Sequence, residues 1–416
     1  MNGGRIPVAV IGGGQAGLSI SALLKERGVE HVVLEKHRVA HTWRTERWDS
    51  FCLVTPNWQC RLPGFPYGGD DPEGFMLKDE IVRYIEAFAA SFDPPLHEGV
   101  AVTGLRRAAS GEGFHLTTSA GELTADQVVV AIGGYHTASL PRIAERIPAD
   151  LMHVHSSAYR NPQALPAGAV LVVGSGQSGA QIAEDLHLAG RRVQLCVGRA
   201  PRTARRYRGR DVVAWLDAMG YYDLAVEDHP LREGVRDNTN HYVTGRDGGR
   251  DIDLRKFALE GMQLHGRLID VAGSTLRFAD DLEENLDRAD AVAEKIKTSI
   301  DRYIEEHRID APLEPRYTPV WKPEHPSREL DLHEAGIAAI VWCVGFRSDY
   351  RWIDVPIFDG KGYPSHHRGV TTAPGLYFLG LPWQHTWGSG RFSGIARDAA
   401  YLADRIEEHI PAGAAR

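Results

Sequence analysis

The residues of this chain whose types and spacing suit them for chemistry sit in two glycine-rich turns. The first is Gly12-x-Gly14-x-x-Gly17, with Gln15 and Ala16 inside it. It follows the β-rich run Val8–Ile11 and opens a helical stretch that stops at Gly28. A second β-rich run, from His31, ends in Glu35-Lys36, and Glu35 lies 18 residues after Gly17. The other turn is Gly174-x-Gly176-x-x-Gly179, with Ser175, Gln177 and Ser178 between the glycines. It follows Val170–Val173 and opens a helical run, Gln181–Leu188. The strand after that ends in Gly198-Arg199, where the first copy has an acid.

Each part of such a turn has a physical task. The first glycine makes the tight bend, the second lets backbone approach a pyrophosphate, and the third lets helix and strand pack closely. Phosphates sit at the helix N-terminus, where free N–H groups and the helix dipole favour anions. Strand, helix, second strand and acid follow in order, which lifts the first motif above chance in a chain with 44 glycines. Glu35 is suited to accept hydrogen bonds from ribose hydroxyls. A carboxylate repels a ribose 2′-phosphate, whereas an arginine near that point pairs with it. An ADP-bearing dinucleotide is therefore predicted on the first turn and a 2′-phosphorylated one on the second. FAD with NADPH is the natural pairing. The competing reading of Arg199 is a solvated cation, since Arg202, Arg205, Arg206, Arg208 and Arg210 crowd the following loop. Ser178 is not a hydrolase nucleophile, because Ala180 stands where G-x-S-x-G requires glycine.

Composition bounds the rest. The chain has 416 residues, 43% hydrophobic and 25% charged, which suits a soluble protein of two domains, or one domain inserted into another. A net charge of −8 argues against nucleic-acid or anionic-membrane partners. No apolar run approaches the roughly 20 residues of a membrane span. The N-terminal residues enter a strand without a signal-peptide core, so a cytoplasmic protein is expected. Cys52, Cys60, Cys196 and Cys343 form no C-x-x-C pair, which fits a reduced compartment. His153 and His155 alternate as strand residues do, but no Asp, Glu or Cys neighbour completes a metal site, and none is expected.

The order of these motifs resembles the flavoproteins with two dinucleotide-binding domains, and within them the flavin-containing monooxygenases. Gly133–Ile143 (GGYHTASLPRI) resembles that group's linker between domains, and His155, Ser156 and Tyr159 match its H-S-x-x-Y motif. Its preceding F-x-G is absent, with Ala149 and Leu151 in those places. The Baeyer–Villiger signature is absent too, which weakens a ketone-to-ester assignment. Trp48–Pro72, Arg206–Asp223 and Gly380–Ala399 are similar to a branch of flavin-dependent oxidoreductases associated with nitrilase gene clusters. The resemblance implies that Trp43 and Arg44 lie along FAD, with a core aromatic the other reading of Trp43. It implies that Thr55, Asn57 and Gln59 face the flavin. Asn57 is then a candidate to hydrogen-bond the oxygenated flavin or NADP⁺, or is a turn residue after Pro56. Gly380-Leu381 stands where disulfide reductases carry Gly-Asp. His385, between Trp383 and Trp387, is a candidate proton donor or a satisfied structural histidine. Arg208 and Arg210 are candidates to bind a nicotinamide phosphate or an anionic substrate. Cys52 and Cys60 are too far apart for the short-loop disulfides of the reductases.

The expected fold is α/β, with two Rossmann-like domains and the NADPH domain inserted into a discontinuous FAD domain. The expected segments are 1–160 and 335–416 for FAD, and 161–334 for NADPH. Asp281–His307 reads as a helix, with Leu282, Leu286, Ala289, Val292, Ile296, Ile300 and Ile304 along one stripe. The implied activity is a single-component monooxygenase that forms a C4a-(hydro)peroxyflavin and oxygenates nitrogen or sulfur before a carbonyl carbon. The alternatives are an NADPH-dependent flavin reductase or dehydrogenase without substrate oxygenation, or a redox partner in a multi-protein pathway. The expected partners are a small-molecule substrate and O₂, and a homodimer is compatible with the sequence.

Overall fold

The computed structural model describes residues 4–410; residues 1–3 and 411–416, at the ends of the expected segments, lie outside it. Strand β1 (Arg5–Ile11) leads through the first glycine turn into helix α1 (Gln15–Glu26) and strand β2 (His31–Glu35). Val8–Ile11 is apolar on both faces because β1 is central, with parallel neighbours on each side. Helix α2 (Lys78–Phe92) and strand β3 (Leu96–Glu98) follow. Then β4 (Val102–Arg107), β5 (Phe114–Thr118) and β6 (Gly121–Val130) form an antiparallel meander. The sheet runs β4-β5-β6-β1-β2-β3.

A second sheet is parallel throughout. It is built from β7 (Met152–His155), β8 (Ala169–Val173), β9 (Val193–Cys196), β10 (Gln263–His265) and β11 (Ile337–Trp342), in the order β7-β11-β8-β9-β10. The second glycine turn leads from β8 into helix α3 (Gln177–Leu188). Helices α4 (Val212–Ala218) and α5 (Leu282–Glu306) belong to the long insertion. Helix α5 matches its expected bounds to within a residue. Its buried stripe is turned slightly, with Ala293 and Lys297 buried and Val292 and Ile296 half-buried. The chain then returns to the first sheet. Strand β12 (Leu376–Phe378) pairs in parallel with β6, and helix α6 (Ile395–Glu407) packs on α1 through Ile395, Ala399, Leu402 and Ile406.

The α/β architecture agrees with the sequence reading, but strand pairing departs from the cuts at 160 and 335. β7 falls before the first cut and β11 after the second, yet both pair in the second sheet. The apolar run Ile337–Trp342 fills the gap between β7 and β8, a position that needs a strand buried on both faces. The two crossings meet in a short ribbon where Thr137–Ala138 pairs with Phe346–Arg347. Among the described residues, no helix is long and apolar enough to cross a membrane.

Both turns are built alike. A Cβ on Gly12 would lie 2.6 Å from the Ala131 carbonyl oxygen, and one on Gly174 would lie 2.6 Å from that of Cys343. A Cβ on Gly17 would be driven into the Gly12 carbonyl oxygen, and one on Gly179 into that of Gly174. Alanine is worth about 1 kcal/mol over glycine in a helix, but here the clash wins. Gly17→Ala is expected to destabilise the fold by about 3 kcal/mol, seen as a lower urea midpoint at unchanged slope.

Candidate active site

At the first turn, Glu35 accepts the Gly13 N–H (2.6 Å) on one carboxylate oxygen and the His37 N–H (2.8 Å) on the other. Each oxygen keeps acceptor capacity for a ribose hydroxyl. A Cβ at Gly14 would meet no protein atom within 4 Å, so the backbone faces open space at the N-terminus of α1. That is the cradle a pyrophosphate needs. Gln15 joins three segments: its Nε2 donates to the Gly390 carbonyl (3.1 Å), and its Oε1 accepts from Trp43 Nε1 (3.3 Å). Trp43 also stacks on Phe392, with ring centroids 5.7 Å apart. Gly380 has φ +93°, and a Cβ there would lie 2.9 Å from the Ala16 side chain.

A cavity of about 870 Å³ joins these parts. Gly12, Gly14, Gln15, Ala16, Glu35, Lys36, Trp43, Thr55 and Gly380 all line it. Gly17 is buried beneath the turn, touching Gly12.

Four other candidates are placed elsewhere. Arg44 turns away to Glu86 (2.6 Å) on α2. Asn57 is buried, its Oδ1 accepting the Met76 N–H (2.7 Å) and its Nδ2 donating to the Asp71 carbonyl (2.9 Å). It is a turn staple, so the catalytic reading is corrected. Gln59 is buried with its amide unpartnered and does not reach the cavity wall. Leu381 is buried, and its N–H donates to Gln384 Oε1 (3.3 Å).

At the second turn, Ser175 Oγ accepts the Gly198 N–H (2.9 Å) and so ties the turn to the end of β9. Gln177 donates to the Val243 carbonyl (2.7 Å) and lines the cavity together with Gln181. Gly174, Gly176, Ser178 and Gly179 lie outside the cavity wall. The nearest atom to a Cβ on Gly176 would be a Thr239 methyl at 3.5 Å. Arg199 is exposed and has no acidic or hydrogen-bonding partner among the described residues. That leaves it available for a 2′-phosphate, so the residues present fit NADPH here as they fit FAD at the first turn.

The neighbouring arginines are mostly consumed by the fold. Arg202 pairs with Asp290 (2.6 Å), and Arg205 pairs with Asp211 (2.5 Å) while also donating to the Val54 carbonyl (2.7 Å). Arg208, at φ +52°, bonds Asp301 (2.9 Å), Glu314 (2.8 Å) and the Ala311 carbonyl (3.3 Å). It is a clamp onto α5, away from the cavity, and its catalytic reading is corrected. Arg210 lies 4.3 Å over the Trp215 ring. His385 is outside the cavity wall too, its Nδ1 3.9 Å from Glu227. Burial lowers its pKa, and its place off the wall keeps it from donating a proton into the cavity.

The four cysteines are free. Burial pushes the Cys52 thiol up to about 11 and the Cys60 thiol up to about 12, and it raises Cys196 and Cys343 as well. All stay protonated near neutrality, which leaves no thiolate to attack a disulfide. In the H-S-x-x-Y segment, His155 bonds Ser157 (3.0 Å) and the Gly345 carbonyl (2.9 Å), and Tyr159 donates to Asp185 (2.7 Å) on α3. These contacts pin the crossing between sheets.

A two-turn site of this kind has recognisable relatives. The family described as pyridine nucleotide-disulphide oxidoreductase matches residues 9–221. The chain belongs to that family. The CzcO-like oxidoreductase of Geobacillus kaustophilus is 32% identical over 408 residues, covering 97% of this chain and 99% of that protein. The indole-3-pyruvate monooxygenase YUCCA4 of rice, Oryza sativa subsp. japonica, is 33% identical over 200 residues, 44% of this chain and 45% of its own. A solved flavin-containing monooxygenase from Stenotrophomonas maltophilia shares the fold, with a TM-score of 0.66 at 17% identity over 97% of this chain and 99% of that one. This member of the oxidoreductase family thus has the two turns but no reactive dithiol.

Residues missed by sequence reasoning come from the N-terminal segment, the insertion and the C-terminal turn. Tyr135, Tyr221, Tyr222, Arg47 and Arg391 all line the cavity. The available signal for Arg391 was the glycine-bracketed run Gly388-Ser389-Gly390 before it.

Two outcomes test the cofactor assignments. Gly14→Ala is expected to fold with stability within about 0.5 kcal/mol of the parent, yet to purify without flavin colour. Arg199→Ala is expected to raise the KM for NADPH about 10- to 100-fold and to leave that for NADH nearly unchanged, since it removes one charge-assisted phosphate contact.

Proposed function

We propose that the chain is a single-component monooxygenase that uses FAD and NADPH to oxygenate a small molecule at nitrogen or sulfur. One observation carries this reading. A single cavity has walls from both turn-bearing helices, Gln15 on α1 and Gln177 and Gln181 on α3. A nicotinamide held by the second turn can therefore reach a flavin held by the first. FAD, once bound and reduced by NADPH, would supply the oxygen-activating chemistry. The chain's task is to keep water and stray protons away from it. Trp43, Phe51, Val212, Leu216 and Phe392 give the cavity an apolar wall for that purpose. Gln15 fixes the Trp43 indole and the Gly390 turn against the end of α1.

The buried, protonated thiols support an acceptor other than a disulfide, and four free cysteines suit action in the cytoplasm. The monooxygenase names of the rice relative and the Stenotrophomonas neighbour support oxygen as that acceptor. A second reading is an NADPH-dependent flavin reductase or dehydrogenase. It is favoured by one fact: Asn57, Arg208 and His385 all lie outside the cavity wall.

Rapid mixing of the NADPH-reduced holoenzyme with oxygenated buffer tests the proposal. The expected result is a near-ultraviolet C4a-adduct band that persists before oxidised flavin returns. Direct return with stoichiometric hydrogen peroxide, unchanged across amine and thioether substrates, would favour the reductase.

A further inference from the structure

Two guanidinium groups line the cavity without a carboxylate partner. Arg391 Nη1 donates to the Trp387 carbonyl and Nη2 donates to Asn240 Oδ1 (3.1 Å), while the guanidinium lies 4.0 Å over the Trp387 ring. The Arg47 guanidinium lies 5.2 Å over Trp43 and 5.6 Å over Phe51, and its Nη1 donates to the Glu46 carbonyl (2.9 Å). Among the described residues, no carboxylate oxygen comes within 4.0 Å of either group. The wall's third arginine, Arg205, is neutralised by Asp211.

The acids of the wall do not compensate. They are Glu35 and Asp349. Glu35 is engaged by the N–H groups of Gly13 and His37, and Asp349 by Arg351 (2.6 Å). Burial pulls the pKa of both unpaired guanidinium groups below its ordinary value, yet an arginine side chain does not deprotonate in a protein. A half-buried cation on a cavity wall, with no carboxylate paired to it, is free to take an anion. The Glu46 carboxylate acts on Arg47 through space without pairing with it, and the Tyr135 phenol lies within electrostatic reach of both arginines.

We propose that Arg47 and Arg391 bind a carboxylate of the substrate, so that the substrate is an organic acid with a flat apolar body resting on Trp43, Trp387 and Tyr222. The proposal rests on the reading that the cavity holds substrate beside the flavin. A guanidinium fork matches the two oxygens of a carboxylate, and the rings on which both arginines lie hold the forks in place before the anion arrives. Trp387 and Tyr222, with centroids 4.6 Å apart, extend the apolar wall into the insertion. A dinucleotide phosphate has the same charge, but its places are the N-termini of α1 and α3 and the free Arg199. Arg391 stands elsewhere, tied to Asn240 of the insertion.

Equilibrium binding to the FAD-loaded protein tests this without any oxygenation. The probes are 3-phenylpropanoate and its uncharged counterpart 3-phenylpropanamide, followed by flavin absorbance and calorimetry. The acid is expected to bind at least about tenfold more tightly than the amide, or about 1.4 kcal/mol. Arg391→Gln and Arg47→Gln are each expected to remove most of that preference while changing amide affinity less than about twofold, with Arg391→Lys retaining part of it. The lysine variant and Arg47→Gln carry the test if Arg391→Gln does not fold. Equal affinity for acid and amide, or no binding of the acid at millimolar concentration, would overturn the proposal. So would variants that raise the NADPH KM or shed FAD with acid preference intact, which would assign the arginines to dinucleotide phosphates. A missing oxygen adduct beside an intact acid preference would remove the monooxygenase reading and leave the anion site standing.

Discussion

The structure depends on two points where a helix comes down onto the carbonyl of its own turn, Gly17 on Gly12 and Gly179 on Gly174. Any side chain there would push the helix off the strand. Because none is present, the N-termini of α1 and α3 sit directly beyond the ends of β1 and β8, their free N–H groups facing outward. A third close approach completes the arrangement. Gly380 sits against Ala16, and Gly390 against the Gly380 carbonyl, which brings the turn before α6 up to Gln15. The cavity is what remains between these three constrained helix starts and the insertion.

The insertion is held by charge as well as by apolar packing. Arg202, Arg205, Arg208 and Arg255 each meet an aspartate at 2.5–2.9 Å, and three of the four are almost fully buried. Breaking one such buried pair costs about 3–5 kcal/mol, because the remaining charge is stranded. Arg202 and Arg208 fasten the loop after β9 to α5, Arg205 closes that loop on itself through Asp211, and Arg255 joins α5 from the segment before β10, with Val212, Leu216 and Ile296 set against the cavity. Most of the basic residues in the loop are thus spent on architecture. Among the described residues, Arg199, Arg47 and Arg391 meet no carboxylate within 4.0 Å, so their charge stays available to an anion.

That division explains what was legible in advance. Gly12, Gly14, Glu35 and the second glycine set could be read because a mononucleotide-binding turn is local: its strand, bend and helix are contiguous, and its steric demands fall on fixed spacings. The helix of α5 was legible from its 3.6-residue periodicity. Asn57, Arg208 and His385 could not be assigned from sequence. Whether a polar side chain caps a turn, clamps a helix or faces a cavity depends on residues far along the chain: Met76 for Asn57, Asp301 for Arg208, Glu227 for His385. The strand Ile337–Trp342 was legible as a strand but not as a member of the second sheet, since an apolar run carries no record of its neighbours.

The sequence by itself determined that there are two dinucleotide turns, that they differ at Glu35 and Arg199, and that the fold is α/β. Those features follow from backbone sterics and charge over short spans. Only the tertiary structure decided that both turn-bearing helices line one cavity, that Arg202, Arg205 and Arg208 of the arginine-rich loop are paired with aspartates, and that Arg47 and Arg391 line the same space unpaired. The reason is physical: ion pairing and burial belong to positions in space, and Asp290 and Asp301 lie 88 and 93 residues beyond the Arg202 and Arg208 they neutralise.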